Sequence, residues 1–304
     1  MSPQRAPAPP PSLRAEARRL YGVDPIAYEA GRPEYPERVY EVLATRCGVS
    51  VGTKVVEIGP GTGRVTRRLL ELGACVVGVE PDASSAAHLK ATLQWPALEV
   101  LHRSFEEAPL SDDTYGCAAA AMSFHWVDQA VGLTKLGRIL RPGGWAALWW
   151  TIFADPDRSD PFRDAVRDLL PEGAGPSRRG PPSFELDVTQ RKNDLADRAG
   201  LTEVQAELIR WTIRMTTTDT RALYASMIAA LRLPPDERSV LLDTLTAVVE
   251  NDFGGGVTRH FVTALYTGRK PETSARLKRA SGRSAQRSDV REATARGRAP
   301  AGGV

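Results

Sequence analysis

Cysteine is scarce in this chain. Three of 304 residues, Cys47, Cys75 and Cys117, are too few and too scattered for a disulfide framework, and no C-x-x-C pair or Cys/His cluster offers a metal its ligands. No metal is therefore expected, and a reducing, cytoplasmic setting is. Long apolar runs are missing too: nothing spans a bilayer, and the Pro-rich start has no apolar centre of a signal peptide, so no membrane partner is expected. Histidine occurs four times, which lets each imidazole be weighed singly. His88 and His102 fall at ordinary helix and strand-end positions, His260 opens the last predicted strand where no site is implied, and His125 alone follows a strand at a ligand edge.

The net charge of +3 hides an uneven distribution. Glu272 to Val304 carries eight Lys or Arg against three acids, a net +5, so the preceding 271 residues sum to −2. That tail has almost no large apolar side chains and is expected to be disordered, as is the Pro- and Ala-rich start. The organisation read from composition is a disordered segment over 1–20, one α/β domain over 21–270 and a basic tail over 271–304. No internal repeat is evident.

Between Lys54 and Phe153 short apolar runs alternate with helical patterns, which predicts parallel strands joined by right-handed helical crossovers. The predicted strands are Lys54 to Ile58, Cys75 to Glu80, Leu98 to His102, Tyr115 to Met122 and Trp145 to Phe153. Further on, a helix ends at about Ala199 with Gly200 as its stop, strands are expected around Val204 to Met215 and His260 to Tyr266, and Thr217 to Ile228 and Pro235 to Asn251 look helical. Elements inserted at about 154–188 and 217–251 are expected to cover a crevice at the strands' carboxyl ends. Trp149 and Trp150, adjacent on a strand, should face opposite sides of the sheet.

The most informative stretch is V-V-E-I-G-P-G-T-G, Val55 to Gly63, followed by V-V-G-V-E-P-D, Val76 to Asp82. A buried strand ends near a carboxylate, Glu57, and passes into Gly59, Gly61 and Gly63, which clear side chains from a ligand's approach and permit a tight turn. The next helix aims its free N–H groups at that turn. Glu80 follows at the separation where a nucleotide-binding half-domain places the acid for ribose hydroxyls, with Pro81 beside it. A dinucleotide fingerprint would need glycine at position 64, where this chain has Arg64, and a pyrophosphate would find Glu57 repulsive.

E-x-G-x-G-x-G with an acid ending the next strand resembles the class I S-adenosylmethionine-dependent methyltransferases. L-R-P-G-G, Leu140 to Gly144, and S-F-H-W, Ser123 to Trp126, fit the same resemblance, which spans about Tyr21 to Lys270. It implies a doubly wound, seven-stranded, mostly parallel α/β sheet with its last strand antiparallel, S-adenosylmethionine as cofactor, and Glu57 near the cofactor's ammonium. The loop after strand three, Arg103 to Glu106, lacks the aspartate many members carry, so the adenine contact falls to Ser104, Phe105 and Glu106. Tyr28 and Arg32, in Y-x-x-x-R-P-x-Y-P, are expected to close over the cofactor, Arg32 toward its carboxylate; Ser123 lies on the same edge. His125 is the expected general base. The partner implied is a small-molecule acceptor, methylated on oxygen rather than carbon or nitrogen; nucleic acid is not the expected partner, and the oligomeric state stays open. Three other readings are an RNA methyltransferase using the basic tail, a regulatory module that binds cofactor without turnover, and transfer of an aminopropyl group.

Overall fold

The computed structural model describes residues 25–170 and 183–272. The expected disordered start, nearly all of the basic tail and the whole Pro/Gly-rich stretch from Gly173 to Pro182 lie outside the described residues. Two helices, α1 (Pro25–Gly31) and α2 (Glu37–Thr45), lead into β1 (Lys54–Ile58), α3 (Arg64–Glu71), β2 (Cys75–Glu80), α4 (Ala83–Thr92) and β3 (Leu98–His102). The second half continues with β4 (Tyr115–Ala121), a short 3₁₀ turn over Phe124–Trp126, α5 (Gln129–Ile139) and β5 (Leu140–Ile152). Beyond it come α6 (Pro161–Val166), α7 (Val188–Asn193), β6 (Thr202–Thr216), α8 (Thr217–Ala225), α9 (Ile228–Leu231), α10 (Pro235–Phe253) and β7 (Gly256–Arg269).

The seven strands run in the order β3-β2-β1-β4-β5-β7-β6, with β7 antiparallel to both neighbours. The order reverses between β1 and β4, so their carboxyl ends diverge and open a crevice there. Because side chains alternate across a strand, Trp149 and Trp150 enter different cores. Trp149 joins Val39, Leu43, Val55 and Leu69 on the α2–α3 face, whereas Trp150 joins Phe124, Leu133 and Tyr266 on the other. Both are buried, which is why neither can serve as an exposed wall for a ligand.

Most boundaries match the sequence reading or differ from it by one to three residues, and three of the differences have a clear local cause. β5 begins at Leu140, not Trp145: the L-R-P-G-G segment pairs from Leu140 to Tyr115, slips by a bulge, and keeps Gly144 against the Tyr115 carbonyl, where a Cβ would come to 2.8 Å. β7 begins four residues early, at Gly256, because its ladder with β6 runs out to Thr216 opposite Gly256. Those long strand ends carry a third core of Phe162, Leu223, Tyr224, Leu245 and Phe261, on which the inserted helices stand. The expected helix from Thr217 to Ile228 breaks at Ser226, whose carbonyl accepts from Arg32 at 2.9 Å.

That third core holds a buried ion pair. Arg259, 1% exposed, donates to Asp160 at 2.8 Å and to the Phe153 carbonyl at 3.0 Å, while Asp160 also caps α6 by accepting from Arg163 N–H at 2.9 Å. Removing the acid alone strands a buried guanidinium, a loss of about 3–5 kcal/mol. Asp160→Ala is accordingly expected to lower the unfolding free energy in urea by about that amount, whereas Asp164→Ala, at an exposed pair, should change it by less than about 1 kcal/mol.

Candidate active site

β1 is apolar because helices cover both faces of the sheet, and the single acid in it, Glu57, is 1% exposed. Its Oε2 accepts from the Thr66 hydroxyl at 2.6 Å. Burial pushes the carboxyl up to about 8, the nearby Glu80 charge pushes the same way, and the bonds from Thr66 pull back. Glu57 is thus a protonated acid at neutral pH until a cation arrives beside it.

After Ile58 the chain turns through the glycines. Gly61 has φ +56°, a left-handed conformation, and nothing lies within 4 Å of where its Cβ would be: this is the bare surface that faces the cavity. Gly63 is a correction. It does not line the cavity; a Cβ there would reach Leu89 at 2.4 Å, so its missing side chain lets α4 pack and offers nothing to a ligand. Gly59 does line the cavity, yet its closest constraint is Ser123, whose Cβ would lie 2.6 Å from an added methyl. Ser123 Oγ donates to the Ile58 carbonyl, which fastens the tip of β4 to the tip of β1.

Glu80, at the end of β2, accepts from Gly61 N–H and from Asp82 N–H, each at 2.9 Å. It holds the turn in place and lines the cavity. Pro81 and Asp82 also line the cavity, Asp82 capping α4 through Ser85 N–H at 2.8 Å. In the loop after β3, Phe105 and Glu106 line the cavity and Ser104 does not, a second correction: its Oγ accepts from Glu107 N–H at 3.3 Å within the turn. Glu106 Oε1 accepts from Asp128 N–H at 2.8 Å, while its Oε2 is buried with no partner. Lys135 braces this loop from below, donating to the Glu106 and Ala108 carbonyls and lying 5.3 Å from the Phe105 ring centre.

At the other end the cavity is lined by Arg32, Met122, His125, Trp126, Thr151 and Phe153. The guanidinium of Arg32 lies 5.0 Å from the Tyr28 ring centre and 4.7 Å from that of Phe153, and Tyr28 lines the cavity too. Met122 takes φ +53°, unusual for a side chain of its size, and its sulfur accepts from Thr151 N–H at 2.9 Å. No group of acids, His and Cys able to hold a metal occurs among the described residues.

His125 is placed in the cavity but not as a base. Its Nδ1 receives a hydrogen bond from the Trp150 indole at 2.8 Å, and an indole nitrogen can only donate. Nδ1 must therefore keep its lone pair, and the neutral ring carries its proton on Nε2. Burial pushes the imidazole down to about 3, so it stays neutral at any working pH. The one basic nitrogen is already engaged, and the cavity meets an N–H donor.

The sequence reading missed Thr66, Met122 and Thr151. A hydroxyl in the first turn of the helix after a strand bearing a buried acid was a usable signal for Thr66; nothing in the sequence marks the left-handed Met122.

The cavity, about 200 Å³, is lined by five acids, Glu29, Glu57, Glu80, Asp82 and Glu106, and by two arginines, of which Arg32 lies between aromatic rings. An adenosyl amino acid complements this set: an ammonium for Glu57, hydroxyls for Glu80, an amino group for the orphaned Glu106 oxygen. Comparison with known proteins agrees. Residues 56–148 match the methyltransferase domain family. An uncharacterized methyltransferase of Mycobacterium tuberculosis is 32% identical over 221 residues, spanning 71% of this chain and 80% of that protein. One from Schizosaccharomyces pombe is 26% identical over 233 residues, or 76% and 88%. The chain belongs to the class I S-adenosylmethionine-dependent methyltransferases, enzymes that take the transferred methyl from that cofactor. Two solved structures share the fold alone: a Haemonchus contortus phosphoethanolamine N-methyltransferase in complex with S-adenosylhomocysteine (TM-score 0.52, 14% identity, 84% of this chain and 60% of that one) and the [4+2]-cyclase SpnF (TM-score 0.52, 15%, 88% and 100%). Fold likeness across such different reactions leaves the acceptor to the site itself. No helix among the described residues is long and apolar enough to cross a membrane.

The raised Glu57 carboxyl makes cofactor binding pH-dependent. Below about pH 8 the free protein holds a proton there that an ammonium must displace, so affinity for S-adenosylhomocysteine should climb from pH 6 to 8, by up to about tenfold per unit. Calorimetry in buffers of differing ionisation enthalpy should detect the released proton, and Glu57→Gln should flatten the profile.

Proposed function

We propose that the protein methylates an oxygen of a small molecule. The observation that carries this reading is the roof over the outer end of the cavity. α1 lies against α8 so closely that a Cβ on Gly31 would reach the Ala222 carbonyl at 2.3 Å, and Arg32 is bonded to the Ser226 carbonyl. The reactive end is closed by the chain's own helices, a geometry that admits a compact acceptor and obstructs a folded RNA.

In this reading Glu57 receives the cofactor's ammonium, Gly61 lets the amino acid portion lie against the backbone, Glu80 and its neighbour Pro81 meet the ribose, and Phe105 and Glu106 meet the adenine. Ser123 acts by holding Gly59 in register, and Tyr28 covers the methionine end. When bound, the sulfonium supplies an electrophilic methyl group. The residues of the chain supply position and dryness: aligned reactants reach effective molarities of about 10⁵ to 10⁸ M, which accounts for much of the rate without a base.

The electrostatics of the outer end favour oxygen. His125 faces the cavity as a donor whose lone pair is engaged, so neither a carbon acid nor a protonated amine finds an imidazole to take its proton. An oxygen acceptor that arrives with a lone pair free needs none.

Incubating the full-length protein with methyl-labelled cofactor and cell extract separated by size should put label in the small-molecule fraction. Label confined to RNA would overturn the assignment. Gly61→Val should weaken S-adenosylhomocysteine binding by at least about tenfold to a hundredfold while far-UV circular dichroism keeps its wild-type shape, because the branched side chain fills the open surface.

A further inference from the structure

A buried pair of hydroxyls reaches the cavity from the side of β7. Thr151, near the end of β5, lines the cavity, and its register partner on β7 is Thr263, 0% exposed. Their Oγ1 atoms lie 2.8 Å apart, and Thr263 Oγ1 also accepts from the Trp211 indole at 3.0 Å. Trp211 is held edge-on to Phe261, with ring centres 5.1 Å apart, and the Thr151 backbone is tied through its N–H to the Met122 sulfur. Two valines would fill the same space with no polar atoms to satisfy, so packing alone does not call for these hydroxyls. The direction of the bonds shows what they supply. An indole nitrogen only donates, so Thr263 Oγ1 is an acceptor toward Trp211, and its own proton has one remaining partner among the described residues, Thr151 Oγ1. Were Thr151 to donate instead, the Thr263 proton would be stranded in the interior without an acceptor. Thr263 therefore donates, and the surplus proton of the series falls to Thr151, the one member of the three that lines the cavity.

The neighbours of Thr151 on its strand say where that proton is offered. Side chains two apart in extended chain share a face, so Trp149, Thr151 and Phe153 stand in line, Phe153 opposite Phe261 as Thr151 is opposite Thr263. Tyr35 meets Trp149 edge-on with ring centres 5.9 Å apart, and the Arg32 guanidinium lies 4.7 Å from the ring centre of Phe153. The segment from Arg32 to Tyr35 thus crosses this row from Phe153 to Trp149, with Thr151 between its two contacts. Arg32 is the residue expected to face the cofactor's carboxylate. It donates from Nη2 to the Ser226 carbonyl, its Nε is buried with no acceptor, and it pairs with no carboxylate among the described residues. Glu57 stands on the same face of the sheet, since its register partner Ala119 pairs in turn with Ala147, two residues before Trp149.

We propose that Thr151 is a second donor to the cofactor's carboxylate: its O–H, aimed by the Trp211–Thr263 series, and the Arg32 guanidinium together hold that group while Glu57 takes the ammonium. The proposal rests on the cofactor orientation given above and is independent of the acceptor. A carboxylate has lone pairs for several donors, and a neutral hydroxyl beside a guanidinium adds a bond without adding charge. Thr263 and Trp211 are positioning residues, since neither lines the cavity and both act through Thr151. Specificity follows from the same pair of donors. Decarboxylated S-adenosylmethionine would leave both without a partner, so the site selects against the ligand that aminopropyl transfer needs.

The test is calorimetry on the full-length protein with S-adenosylhomocysteine and its decarboxylated analogue, two probes that differ only in the carboxylate. The wild type should bind the first at least about tenfold more tightly. Thr151→Val should weaken S-adenosylhomocysteine binding by about tenfold and leave the analogue within about threefold, and Thr151→Ser should recover most of the loss. Trp211→Phe, which lets Thr151 turn its proton toward Thr263, should weaken S-adenosylhomocysteine by about threefold to fivefold and spare the analogue; a merely structural role would move both probes together. Neutron diffraction from crystals of perdeuterated protein should show the Thr263 deuterium on the line to Thr151 Oγ1. A Thr151 deuterium directed at Thr263, equal losses for the two probes in Thr151→Val, or no loss for either would overturn the proposal. Arg32→Gln separates that failure from a failure of the orientation beneath it. Loss of the preference for the carboxylate in Arg32→Gln but not in Thr151→Val would remove Thr151 alone, whereas a preference kept in both would put the carboxylate elsewhere and remove both.

Discussion

One carboxylate ties the two most distant parts of the sequence motif together. Glu80 accepts from Gly61 N–H on one oxygen and from Asp82 N–H on the other, so the tip of β2 grips the turn that leaves β1. A backbone in the left-handed region is held only where its surroundings overdetermine it, and here the clamp is a charge-assisted pair of bonds. The open face of Gly61, the buried approach to Glu57 and the start of α3 all depend on that grip. Replacing the acid would free the turn before it touched any ligand.

The inner half of the site was legible because it is local. Glu57, Gly61 and Glu80 follow from a strand, a turn and the next strand, and short-range spacing encodes all three. The parallel strands before residue 140 were legible for the same reason, their apolar runs being bounded by glycine and charge. Gly63 shows the limit of such reading: its spacing matches a ligand glycine, yet what it accommodates is Leu89, twenty-six residues away. Ser104 fails similarly, since its hydroxyl is spent inside its own turn.

The outer half was poorly legible because it is assembled at long range. Residues Arg32 and Ser226 meet across 194 positions, and the indole of Trp150 reaches His125 from a neighbouring strand. A histidine after a strand reads as a base; only the direction of one hydrogen bond turns it into a donor. The boundaries of β7 and α8 differ for a related cause, since the end of β6 and the start of β7 continue outward to carry the third core, and a pattern of apolar residues gives no sign of where pairing stops. Sheet and cover are therefore two packing problems on shared strands, one making the glycine ledge and the other closing the outer end of the cavity.

The central claim is that a bare turn flanked by acids receives an adenosyl amino acid in one orientation. A crystal structure of the protein grown with S-adenosylhomocysteine tests it most directly. The account predicts the ammonium within hydrogen-bonding distance of Glu57, the ribose hydroxyls on Glu80, the adenine amino group on the free oxygen of Glu106, and the sulfur facing His125 and Thr151. Electron density for that compound in reverse, with its adenine at the Arg32 end, or at any place other than this crevice, would contradict it.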